Sequence, residues 1–298
     1  MFKQIRIACL SLVSITTLFI GAAQAQSTLE KVKSSGAITL AYRESSVPFS
    51  YLGENGQPVG FGFEICKKIA DKVKAQTGLK TLEVKLQAVT SQNRIPLIQN
   101  GTVDVECGST TNNSERGQQV QFATNYFYTG TRFLVKANSG IKSINDLKGK
   151  TLVVTTGTTN YQILRNLNAE KNFGFELIGA KDHADALLMV ETGKAHAFGM
   201  DDILLYGARA SSKNPAELAV VGDAIQVEPY AIMFRKDDPA FRTLVNGVIA
   251  DLIKTGEFTK LYTKWFMTAI PPKGNNLNAP MSKELKDNLK ALSDKPAI

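Results

Sequence analysis

The chain has 298 residues, 43% hydrophobic and 21% charged, which allows two ordinary globular domains and excludes a disordered or fibrous protein. Lys and Arg total 35 against 27 Asp and Glu, for a formal net charge of +8. The basic residues are dispersed, with no run longer than two, which argues against a nucleic-acid partner and leaves a mild field that would favour a small acidic ligand.

The N-terminus sets the compartment. Lys3 and Arg6 precede an apolar stretch from about Ile7 to Ile20, and Ala23-Gln24-Ala25 follows. This is the pattern of a secretory signal, so residues 1–25 are expected to be removed after Ala25. Cys9 lies at the start of the apolar core, the wrong place for lipidation. No later segment is apolar enough to span a bilayer. The mature chain is therefore expected to be exported, with Cys66 and Cys107 as its cysteines. Export permits a disulfide, but spacing cannot show that the two are near each other; the residues themselves favour two buried thiols.

In chain order, AITLAYRES reads as a strand ending in polar residues, and SVPFSYLGENGQPVGF as a hairpin or wide loop. Ile65, Cys66, Ile69 and Val73 have helical spacing, and Gly78 stops that helix. LEVKLQAV alternates like a strand. Ser91 is then expected to cap QNRIPLIQNG, with Gly101 ending it. TVDVECG reads as a short strand and NNSERGQQV as a short helix. Alternating strands and helices predict a doubly wound parallel α/β sheet.

The same grammar restarts after FYTGTRFLVK. SINDLKGK is expected as a short helix, TLVVTTG as a strand, TTNYQILRNLNAEKN as a helix and FELIGA as a strand. HADALLMVETG, AHAFGM, DDILLYGARASS and LAVVG continue the alternation. Helices then run from Phe241 to Phe266, with Leu244, Val248, Leu252 and Ile253 as a stripe, before a tail containing Pro271 and Pro272. Returning those helices to the first lobe requires two connecting segments, near residues 130–132 and 226–229, which would act as a hinge. The expected division is 26–130 plus 229–298 for one lobe and 131–228 for the other.

In open α/β sheets ligands sit beyond the carboxyl ends of strands, where helix N-termini point. Arg43, Ser91, Arg94, Ser109, Thr111, Thr158, Thr159, His183 and Asp201 all map to such positions. The loop around Gly157 could offer backbone N–H groups to an anion. Arg94 stands out because it interrupts the apolar face of Ile95, Leu97 and Ile98. Arg116 reads instead as a structural residue, paired with Glu115 or the sheet edge, and His196 as a half-buried strand residue.

Catalytic patterns are thin. There is no G-x-S-x-G elbow, phosphate loop or metal-ligand spacing, and no cofactor is called for. An exported dehydratase of the cyclohexadienyl type would have to rely on His183 as acid or base, with no evident partner. A sensory role, passing the loaded form to a membrane receptor, is compatible with transport.

The strings YRESSVPFSY, TSQNRIPLIQNGT, VECGSTTNN, TTGTT, AKDHAD, MDD, RKDDP and AIPPKGNNLN occur in an order that resembles the periplasmic glutamate/aspartate-binding proteins of ABC importers, in solute-binding protein family 3. The resemblance covers essentially the whole mature chain. It implies the type II periplasmic binding-protein fold, two doubly wound lobes joined by a two-segment hinge, acting as a monomer. It also implies L-glutamate or L-aspartate held between the lobes and delivered to an ABC permease in the inner membrane. By position, Arg94 is similar to the residue that clamps the α-carboxylate, with Ser109, Thr111, Thr158 and Thr159 assisting. Asp201 would accept the α-ammonium. Arg43, Ser91 and His183 would read the side-chain carboxylate. With two arginines and one aspartate, the cleft would carry a net charge of +1 for a ligand of −1.

Overall fold

A computed structural model describes residues 26–297. The expected signal segment, with Cys9, lies outside the described residues. In chain order the elements are α1 (Thr28–Ser35), β1 (Ala37–Tyr42), β2 (Ser45–Ser46), β3 (Ser50–Leu52), β4 (Pro58–Val59), α2 (Phe61–Thr77), β5 (Glu83–Ala88), α3 (Arg94–Gln99) and β6 (Val105–Glu106). Then follow β7 (Gln121–Lys136), β8 (Thr151–Thr155), α4 (Thr159–Lys171), β9 (Glu176–Ala180), α5 (His183–Glu191), β10 (Ala197–Asp201), α6 (Asp202–Ser211) and β11 (Leu218–Phe234). The chain closes with α7 (Pro239–Lys254), α8 (Glu257–Tyr262), β12 (Ala269–Ile270), β13 (Asn275–Asn276) and α9 (Lys283–Ala291). None of these helices is long and apolar enough to cross a membrane.

The apolar periodicities place these elements. In α2, Ile65, Cys66, Ile69, Ala70 and Val73 are buried on one face, and Gly78 closes the helix in the left-handed region at φ 70°. Strand alternation splits the core in two. Leu152 and Val154 join one apolar cluster while Val153 joins the opposite one. Likewise Leu40 faces one side and Ala41 the other, so helices cover the sheet on both faces.

The main sheet has the order β5-β1-β6-β11-β7-β10-β8-β9. At one end β1 runs parallel to β5 and β6; at the other, β8 runs parallel to β9 and β10. Two long antiparallel strands, β7 and β11, pass through both ends. The sequence suggests only short connecting segments there. In fact the first half of β7 pairs with the last half of β11, which also pairs β6; the second half of β7 pairs β10. Each lobe is thus completed by a half-strand of the same two ribbons. Two register shifts fall at the crossing, between Val221 and Ile225 and between Ile225 and Val227, where Gln226 adopts φ 50°; two more follow between Tyr230 and Met233. Such bulges bend a pair and re-aim its ends.

Two other expectations change, and the tail gains detail. NNSERGQQV contains one 3-10 turn, Arg116–Gln118, and no longer helix. The tail is ordered: α9 packs along β7, and the side-chain amides of Asn112, Asn125 and Asn288 donate to Asp294 O, Lys295 O and Asn125 O at 2.9, 2.8 and 2.7 Å. The cysteines are not free thiols. Cys66 and Cys107 form a disulfide, because α2 lies against the end of β6 and brings their Cα atoms to 5.7 Å. The bond spans 41 residues of sequence and ties α2 to the loop that carries Ser109 and Thr111.

The lobes are in contact. The Ala184 N–H donates to Ser45 Oγ at 3.3 Å, Asn275 Nδ2 donates to Ala210 O at 2.6 Å, and α6 lies against the Val47 backbone. A Cβ on Gly207 would sit 2.8 Å from the Val47 carbonyl carbon and 2.9 Å from Val47 Cβ. Gly207 is helical, so alanine there costs nothing locally and gains about 0.5–1 kcal/mol of helix stability. We expect Gly207→Ala to fold with an unchanged or raised melting temperature, yet to resist closure and weaken ligand binding at least tenfold. Calorimetric binding with unaltered affinity would refute this account of the contact.

Candidate ligand site

Arg43 follows β1 and is fully buried. Its Nη2 donates to Asp182 Oδ1 at 2.9 Å and lies 3.4 Å from His183 Nε2. Asp182 caps α5 by accepting the His183 N–H at 2.8 Å. A guanidinium only donates, so Nε2 of His183 is the acceptor, and Nδ1 carries the hydrogen toward Thr155 Oγ1 at 2.8 Å. Burial, and then the neighbouring Arg43 charge, pushes the His183 pKa down to about 3. The imidazole is neutral, a point the sequence leaves open.

The helix expected to open at Gln92, behind a Ser91 cap, opens two residues later. The Thr90 N–H donates to Asn93 Oδ1 at 2.8 Å, closing a turn, so helical geometry begins at Arg94 and Ser91 makes no cap. Ser91 points inward instead, and its buried Oγ has no hydrogen-bond partner among the described residues. Arg94 is 2% exposed, and its Nη1 donates to Ser109 O at 3.2 Å. Burial pushes Arg94 down to about 9; the charges of Arg116 and Arg43 push the same way, and Glu106 opposes them. Nε of Arg94, with Nε and Nη1 of Arg43, is buried without a partner. Native structures rarely leave such groups orphaned, so this end of the site calls for an acceptor-rich group.

The other end is acidic. Asp201 closes β10; its Oδ1 accepts from Asn160 Nδ2 at 2.8 Å and its Oδ2 from the Tyr230 hydroxyl. Burial, and then Glu228, raises the Asp201 pKa to about 7. Thr158 caps α4: its Oγ1 donates to Thr155 O at 2.7 Å and accepts the Tyr161 N–H at 3.2 Å. That hydroxyl is committed to the cap. Thr111 and Thr159 meet across the lobes, their Oγ1 atoms 3.3 Å apart. Ser109 Oγ donates to Ser46 Oγ at 3.3 Å.

The structure therefore gathers the sequence-derived residues at the lobe interface, with corrections. The charge balance is not a simple +1: Arg116, Glu106, Asp182 and Glu228 are also buried or nearly so. Arg116 does not pair with Glu115. It donates to Thr111 O at 3.0 Å and to Gly157 O at 3.1 Å, one carbonyl from each lobe. Gly157, at φ 77°, lets this happen, since a Cβ there would lie 2.5 Å from Gln92 Cα. Glu106 accepts from Thr110 Oγ1 at 2.6 Å and lies where its charge supports Arg94. His196 is exposed and precedes β10; its Nδ1 accepts the Thr151 N–H at 3.0 Å. Glu228 lies at the strand crossing, a position marked in the sequence as hinge and not as site. A charged residue in the otherwise apolar VEPYAIMF run was the available signal.

Chemically, the arrangement is bipolar. Orphaned guanidinium and hydroxyl donors, partly balanced by Asp182 and Glu106, stand at one end, and Asp201 with Glu228 and their polar neighbours stand at the other. It suits a small molecule carrying both carboxylate and ammonium groups. No group of three or more His, Cys, Asp or Glu side chains suited to a metal ion occurs among the described residues.

The sequence model for bacterial extracellular solute-binding proteins, family 3, matches residues 38–268. An L-glutamate/L-aspartate-binding protein of Pseudomonas aeruginosa is 49% identical over 271 residues, covering 91% of this chain and 90% of that protein. A glutamate/aspartate import solute-binding protein of Salmonella typhimurium is 47% identical over 275 residues, covering 92% and 91%. Among solved structures, a mutant of ArgBP from T. maritima has a TM-score of 0.69 at 28% identity, covering 80% of this chain and 98% of that one.

The raised Asp201 pKa has a definite sign for binding. An ammonium placed against Asp201 lowers that pKa, so binding releases a proton and is favoured by higher pH. Affinity for L-glutamate should level off above pH about 7 and fall by up to about tenfold per pH unit below it. His183, already neutral, adds nothing in that range. Calorimetry in buffers of differing ionisation enthalpy reads the proton directly; a flat profile from pH about 5.5 to about 8.5 would remove the role of Asp201.

Proposed function

The chain belongs to family 3 of the bacterial extracellular solute-binding proteins, and on that premise we propose that it captures L-glutamate or L-aspartate between its lobes for an ABC importer. The lobes are residues 26–130 with 229–298, and 131–228, exchanged at the β7–β11 crossing. The observation that carries the reading is the pair of buried, incompletely partnered arginines on one lobe, facing an acid that burial has pushed toward neutrality on the other.

Arg94 takes the α-carboxylate, together with the N-terminus of α4 behind Thr158 and Thr159, where backbone N–H groups lack intrahelical partners. Ser109 and Thr111 stand beside it. Asp201 takes the α-ammonium. Arg43 and Ser91 take the distal carboxylate, and neutral His183 holds Arg43 in place through Nε2. Arg43, Arg94 and Thr111 belong to one lobe, and Thr159, His183 and Asp201 to the other. The ligand therefore makes all its contacts only when the lobes close, which shifts the open–closed balance. Micromolar binding needs about −8 kcal/mol, which a few charge-assisted hydrogen bonds of about 1.5–3 kcal/mol each can supply after ordering costs.

The mature protein acts as a periplasmic monomer, freed by cleavage after Ala25, and its closed form is what the inner-membrane permease recognises. A dehydratase chemistry is disfavoured, because both ring nitrogens of His183 are engaged and its pKa is too low for acid–base work near neutral pH.

Purified mature protein titrated with the common amino acids tests this. L-Glutamate or L-aspartate should bind, and L-glutamine far more weakly. Arg94→Ala should cost about 3–5 kcal/mol, a hundredfold or more in affinity, since it strands a buried carboxylate. Arg43→Ala should cost the diacids more than uncharged amino acids. Unchanged affinity in Arg94→Ala, or equal losses across all ligands in Arg43→Ala, would overturn the assignment.

A further inference from the structure

Glu228 is buried on β11 at the crossing of the two lobes, 3% exposed, and has no role in the reading above. Its Oε2 accepts from Thr159 Oγ1 at 2.6 Å and from Thr111 Oγ1 at 3.2 Å; its Oε1 accepts from Gln226 Nε2 at 3.1 Å. Thr111 comes from one lobe, Thr159 from the other, and the carboxylate stands on a strand that joins them.

A hydroxyl has one proton. Both threonines give theirs to Glu228, so toward the cleft they can present only lone pairs. That corner is the one around Asp201. Asn160, which follows Thr159, donates to Asp201, and Tyr230, bridged to Thr111, donates to its other oxygen. The charged and titratable groups facing Glu228 are Arg116, Asp201 and Tyr230, with Glu115 on the wall of the adjoining cavity.

We propose that Glu228 is a positioning carboxylate. It orients one threonine hydroxyl from each lobe as an acceptor beside Asp201, and so assembles a cation-accepting subsite that exists only in the closed protein. This rests on the amino-acid-binding reading, and it sets the Thr111 and Thr159 hydroxyls against an ammonium and not against a carboxylate. Glutamine at position 228 has the same shape but no charge: its amide oxygen accepts the two hydroxyls more weakly than a carboxylate oxygen does, and its NH2 meets the Gln226 amide donor, which would have to turn.

The test is a titration of unmodified protein, Glu228→Gln, Thr159→Val and the double variant with L-glutamate. We expect Glu228→Gln to bind about tenfold more weakly or worse, and the double variant to be no weaker than the worse single one, because both changes break one arrangement. The pH below which affinity falls should also move down in Glu228→Gln, since the negative neighbour that helps hold the Asp201 carboxyl up is gone. A merely structural role would leave that profile in place. Binding within about twofold of the unmodified protein, losses that multiply independently, or an unmoved pH profile overturn the inference. If Glu228→Gln does not fold, the double variant Thr111→Val, Thr159→Val keeps the carboxylate and must show the loss by itself; unmodified affinity in it is equally fatal. Failure of the unmodified protein to bind L-glutamate would count instead against the function proposed for the whole chain.

Discussion

Burying guanidinium groups without fully pairing them is the constraint from which most of the site follows. Taking a charge out of water costs several kcal/mol even after relaxation. Arg43 and Arg94 have paid much of that cost before any ligand arrives, and each keeps N–H groups without protein acceptors. Their surroundings are arranged to tolerate this. Asp182 neutralises Arg43 from the opposite lobe, His183 stays uncharged beside it, and Glu106 supplies a negative field near Arg94. On the proposed assignment a ligand carboxylate would enter a site already desolvated and already charged, where each hydrogen bond is worth more than in water.

The same logic makes the site mechanical. The donors that need a partner lie mostly on one lobe, and the acid that needs a cation lies on the other. Among the described residues β7 and β11 carry the sheet across that boundary, and two of their four register shifts fall where the lobes change over. Arg116 then spans the gap by donating to one carbonyl on each side, at a point where glycine permits backbones to touch. Electrostatic demand and rigid-body motion are thus two aspects of one arrangement.

Much of the fold was legible because it is written locally. The buried face of α2 and its terminal glycine follow from residue spacing, and so do the parallel strands and the starts of α4 and α5. What escaped depends on partners distant in sequence. β7 and β11 pair across about a hundred residues of intervening chain, so their full length has no local signature. The disulfide required knowing that α2 meets the end of β6. Ser91 looked like a cap by type; the turn from Thr90 to Asn93 took that role and left Ser91 facing the cleft. Glu228 was passed over because a charge in a hinge is ordinarily solvated; Arg116 was read as structural, but its partners, a carbonyl on each lobe, are set by the packed lobes and not by its neighbours in sequence. The strand-end rule brought together residues that meet at the lobe interface because it concerns helix N-termini, which sequence does mark.

The crossing of β7 and β11 has an evolutionary corollary. Gly130 and Val227 are paired neighbours, so everything between them departs from and returns to a single spot. Such a segment is modular: it can be exchanged for a homologous one without rethreading the remainder. That module carries Asp201 and its host carries Arg43 and Arg94, so on the proposed assignment recombination at this spot would trade the partner of one ligand charge while inheriting those of the other intact.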